Sequence, residues 1–81
     1  MGFAKGVILD NKSFDIYFDK INTVDGVKFF VFAKEKHGNG CWFNMERKNG
    51  EWRIIDAPKV PEVFIFNEEW FSETINENFS G

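Results

Sequence analysis

The chain is short of the residues that staple, interrupt or catalyse. Its single cysteine, Cys41, rules out an internal disulfide, so the fold must hold by burial, and a reducing, cytoplasmic setting is the simpler expectation. The two prolines, Pro58 and Pro61, fall close together, which leaves the preceding chain free to run as uninterrupted strands. One histidine, His37, and the serines Ser13, Ser72 and Ser80 supply few groups for acid–base or nucleophilic work. There is no nucleophile elbow and no HExxH, so no enzyme activity is expected. No apolar run approaches the roughly 20 residues that span a bilayer, and Met1-Gly2-Phe3-Ala4-Lys5 lacks the apolar core of a signal peptide, so no membrane association is expected. A formal net charge of -3 gives no generic pull toward phosphate backbones.

What the chain has instead is aromatic mass: 11 Phe and 3 Trp among 81 residues. That suits a single domain, 1–81, which must gain its burial from few side chains. The densest β-branched and aromatic run is Val27-Lys28-Phe29-Phe30-Val31-Phe32-Ala33-Lys34-Glu35, apolar at odd and even positions alike. A strand of this kind has something against both faces, so it is predicted to be central. Before it, Phe14, Ile16 and Phe18 alternate with Asp15, Tyr17 and Asp19, the period of a half-buried strand. Val24-Asp25-Gly26 supplies the glycine of a hairpin turn between the two. Val7-Ile8-Leu9 fits either an edge strand or an ordered arm folded back over Trp42.

After the central run, Cys41 to Lys48 alternates again, and Asn49-Gly50 carries the signature of a type I′ turn, whose central residues both need positive φ. That turn sets Lys48 opposite Glu51, Arg47 opposite Trp52, Glu46 opposite Arg53 and Met45 opposite Ile54. The turn before Cys41 admits a longer loop over Lys36 to Gly40 or a tight Asn39-Gly40 turn, and the two put opposite faces of the central strand against Phe43 and Met45. The tight turn gathers Phe30 and Phe32 with Phe14, Ile16, Phe18, Cys41, Phe43, Met45, Trp52 and Ile54 on one apolar face, and is the register expected here. The opposite face then carries Tyr17, Phe29, Val31, Trp42 and Ile55 in a charged frame that includes Asp15, Asp19, Glu46 and Arg53.

Asp56-Ala57-Pro58-Lys59-Val60-Pro61 should end the strands. Asn67-Glu68-Glu69-Trp70 has the form of a helix start, with Asn as N-cap and acids in the first turn. Trp70, Phe71, Thr74, Ile75 and Phe79 recur at helical spacing to near Asn78. Val63-Phe64-Ile65-Phe66 fits a fifth strand or an earlier helix start with Pro61 at N1. The predicted fold class is α+β: an antiparallel four- to five-stranded β-meander with one C-terminal α-helix packed on one face.

Candidate sites are few. Gly38-Asn39-Gly40 lacks the lysine and following helix of a phosphate loop, and His37 with Cys41 lacks the second ligand pair of a zinc site, so neither a cofactor nor a metal is expected. Lys28-Phe29-Phe30-Val31-Phe32 resembles the aromatic strand motif of RNA-recognition and cold-shock domains. It lacks their glycines and sits in a negatively charged chain, so nucleic acid is not expected as a partner. Glu68, Glu69, Glu73 and Glu77 form a solvated helix flank. The expected function is a small non-catalytic protein-interaction module, in which Tyr17, Phe29, Val31, Trp42 and Ile55 dock a protein partner or a second copy as a homodimer. An inhibitor or immunity-type role would suit a domain of this size. The alternative is a small carrier of an apolar ligand held between sheet and helix by Phe14, Phe32, Phe43 and Trp70.

Overall fold

The computed structural model describes residues 2–56 and 59–79. Its five strands form one antiparallel sheet in sequence order: β1 (Gly2–Leu9), β2 (Lys12–Thr23), β3 (Gly26–Glu35), β4 (Gly40–Lys48) and β5 (Glu51–Ile54). The turns explain the meander. Asp10 and Asn11 take φ of 51° and 62°, and Asn49 and Gly50 take 53° and 83°, so both connections are tight turns of the mirror-image type that matches strand twist. The Asn49-Gly50 register is the expected one, from Lys48 opposite Glu51 to Met45 opposite Ile54. The segment Val7-Ile8-Leu9 belongs to an edge strand paired along its length with β2, and does not fold over Trp42. Ala57 and Pro58, expected to end the meander, lie outside the described residues.

One register differs from expectation, and it inverts the central strand. Val31 stands opposite Phe43, Phe29 opposite Met45 and Ala33 opposite Cys41, so Phe29 and Val31 lie in the core and Phe30 and Phe32 lie half-buried on the other face. The expected Asn39-Gly40 turn does not form, since neither residue adopts positive φ. Glu35 to Asn39 loops out instead, with Gly38 N–H donating to the Glu35 carbonyl at 3.2 Å. Gly40 serves a different need: a Cβ there would collide with the Phe32 ring. Glycine at this position lets that ring lie across the neighbouring strand.

The helical part also differs, being two helices, α1 (Glu62–Phe66) and α2 (Glu68–Asn78), rather than one. Pro61 occupies the N-cap of α1 rather than its first turn. At the break, the Asn67 amide donates to the Val63 carbonyl at 2.7 Å and so does not cap α2. An asparagine that bonds back four residues draws its side chain away from the helix start that follows.

Both helices cover the core face of the curled sheet, and the contact is made by rings. Phe64 packs on Phe14 and Phe43 with centroids 5.4 and 5.5 Å apart, Phe71 on Phe43 at 5.3 Å, and Phe79 on Phe3 and Phe29 at 5.2 and 4.9 Å. Rings buried as fully as Phe64 and Phe71 contribute about 1.5–3 kcal/mol each. A second set of contacts closes the sheet edge at β5. The Trp52 N–H donates to Ser72 Oγ at 2.9 Å and the Ile54 N–H to Glu68 Oε2 at 2.8 Å, so side chains of α2 take the place of a sixth strand.

Candidate functional site

The sheet face away from the helices is built by residues that alternate with the core set. On β2 these are Asp15, Tyr17 and Asp19, on β3 Lys28, Phe30, Phe32 and Lys34, and on β4 Trp42, Asn44, Glu46 and Lys48. Strand pairing sets Ala4 opposite Tyr17, Tyr17 opposite Phe32, and Phe32 opposite Trp42, one row across β1 to β4. The rings follow that row. Tyr17 and Phe32 are 6.2 Å apart at 30° between planes, and Phe32 and Trp42 are 6.3 Å apart at 33°. Cross-strand aromatic pairs of this kind stabilise a sheet by about 0.2–1 kcal/mol each. That stabilisation does not require exposure, yet Trp42 is 65% exposed and Tyr17 49%.

Charges frame the row without favouring either sign. Asp15 stands opposite Lys34 on one side. On the other, Lys28, Glu46 and Arg53 stand side by side across three strands. The expected cross-strand pairs give way to others: Lys48 reaches Glu46 along β4 at 3.6 Å, and Arg53 reaches Glu51 along β5 at 2.6 Å and Glu68 of α2 at 3.1 Å. Exposed pairs of this kind add little to stability. What they set is the face's electrostatic character, an apolar centre within a rim of mixed sign.

Of the residues expected to form this face, Tyr17 and Trp42 are on it and adjacent through Phe32. Ile55 continues β5 by one residue, its N–H donating to the Asn44 carbonyl at 2.9 Å on the same face. Phe29 and Val31 are corrected: they are 1% and 0% exposed beneath the helices. Phe32, Phe30 and Ala4 join the face in their stead.

The residues named for an apolar carrier are divided by the same inversion. Phe14 and Phe43 face the helices, where the rings of Phe64 and Phe71 fill the space against them, while Phe32 lies on the opposite side of the sheet. A surface cleft of about 490 Å³ does open at the end of the sheet near Lys20, Arg47, Asn76 and Phe79. Its deepest rings, Phe29 and Trp52, are themselves buried by the core, so they offer a ligand little apolar surface. His37 lies in the exposed Glu35–Asn39 loop and Cys41 is half-buried, and the described residues contain no group of three or more His, Cys, Asp or Glu placed to hold a metal. Compared with protein-family models, with curated proteins and with solved structures, the chain shows no significant match, so the meaning of this face rests on its own chemistry.

Proposed function

We infer that the protein is a non-catalytic interaction module whose helix-free sheet face docks the surface of a protein partner. The observation that supports this reading is Trp42, one of three tryptophans, standing 65% exposed at the end of the Tyr17–Phe32–Trp42 row. A large indole left in water forfeits burial that the core could have used, and aromatic anchors inside a polar rim are the usual makeup of an interface centre. The mixed charge of the rim fits a protein surface better than a polyanion.

The test compares wild type with Trp42→Glu. Because Trp42 supports no core contact with the helices, the variant should melt within a degree or two of wild type. Proteins retained by wild type from cell extract, once purified and titrated, should shift the Trp42 indole and Tyr17 ring resonances, and should lose at least tenfold in affinity for Trp42→Glu. A partner that perturbs only resonances of α1 and α2 would sink this reading, as would a Trp42→Glu chain that unfolds.

A further inference from the structure

The two edges of the sheet are treated differently. At β5 the outward N–H groups of Trp52 and Ile54 are taken by Ser72 and Glu68. At β1 the two-residue turn makes Leu9 and Lys12 the first bonded pair, so the odd residues of β1 bond to β2 and Gly2, Ala4, Gly6 and Ile8 turn their N–H and C=O groups outward. Among the described residues nothing pairs with that side of β1. The strand has no proline, its pairing with β2 runs from Gly2 to Leu9 without a bulge, and Lys5 is its only charge. Proline and a bulge are devices that normally blunt an edge, and β1 has neither; Lys5, on the core side, is the one edge-protecting charge it carries.

We propose that this edge takes β1 of a second copy of the chain, antiparallel about a two-fold axis at Gly6. The residues favour this occupant and register. A two-fold at Lys5 would set like charges directly opposite each other, which is destabilising. Moving it to Gly6 places Phe3 opposite Leu9 of the second copy, apolar against apolar on the core side, and Lys5 opposite Val7, where the lysine stem can lie along the valine while its ammonium reaches water. On the outer side it sets Ile8, which is 72% exposed, opposite Ala4 of the second copy. Small outward neighbours, Gly2, Ala4 and Gly6, leave nothing to obstruct the approach. The contact is isologous and closes at two copies. It also brings the Tyr17, Phe32 and Trp42 rings of both copies onto one continuous face, and it uses none of those three rings.

Sedimentation equilibrium over a dilution series, with amide hydrogen exchange at each concentration, tests this. The expected result is a doubling of mass at high concentration, accompanied by slowed exchange at Ala4, Gly6 and Ile8. Gly6→Pro removes an outward N–H and none of the bonds to β2, so it should abolish the doubling while leaving the melt near that of wild type. Trp42→Glu should leave the dimer intact. The proposal is overturned by a wild type that stays monomeric throughout, by a dimer whose Ala4, Gly6 and Ile8 amides exchange as in the monomer, or by a dimer lost in Trp42→Glu. Should Gly6→Pro fail to fold, wild-type exchange at those three amides decides alone.

Discussion

Phe29 and Phe30 are neighbours in the chain with opposite environments, one beneath α2 and the other half-buried on the open face. Phe29→Ala should destabilise by about 3–5 kcal/mol, because a ring packed on Trp52 and Phe79 leaves a cavity. Phe30→Ala should lose well under half of that; urea melts of the pair that came out in the reverse order would invert the register. This parity was legible in the sequence, though not from the phenylalanines: Lys28 and Lys34 share the parity of Phe30 and Phe32, and a face holding two lysines faces water. The two phenylalanines of that same parity mask the signal. Cys41 offers a second residue-level test, since burial pushes its thiol above the ordinary range. Alkylation needs the thiolate, so iodoacetamide should react more slowly than with free cysteine and reach half its maximal rate at a higher pH. A midpoint at or below that of free cysteine would show a hydrated thiol. The sign for stability follows: the folded chain keeps this proton longer than the unfolded one, so the contribution is whole below the unfolded pKa and is lost as pH rises through the folded value.

The strand of four residues, β5, depends on what borders it. Ser72→Ala removes the acceptor from a buried Trp52 N–H, and an orphaned donor of that kind costs about 1–3 kcal/mol. A urea midpoint equal to that of wild type would mean that water reaches the edge. Connections were the most readable elements, because Asn49-Gly50 leaves little choice once both φ values must be positive. Gly2 to Leu9 was less readable. A strand with two glycines and an alanine has weak propensity of its own, and β2 decides its conformation by pairing. The break at Asn67 was hidden for a similar reason: an Asn before Glu-Glu carries the signal of a cap, and only the carbonyl of Val63 within its reach turns it to another use. As for the candidate face, Tyr17 and Trp42 were visible from alternation alone. Phe32 between them was not, since its place depends on Gly40 being needed for ring clearance rather than for a turn.

Seen whole, the molecule is one ring-packed layer: Phe64, Phe71 and Phe79 are the sheet's cover, and the sheet is what holds two short helices in shape. Unfolding should therefore be a single transition, with far-ultraviolet and near-ultraviolet circular dichroism giving coincident curves. Curves that separate would mean that the helices lift off an intact sheet. The cover also follows all five strands in the chain. At a synthesis rate of about 5–20 residues per second, segment 62–79 trails the finished strands by about one to a few seconds. Until that segment docks, each chain presents Phe18, Phe29 and Phe43 uncovered, beside a β5 edge whose N–H groups still lack their acceptors, Glu68 and Ser72. The concentration of chains that have not yet docked their helices thus bears on aggregation during folding, separately from the stability of the finished fold.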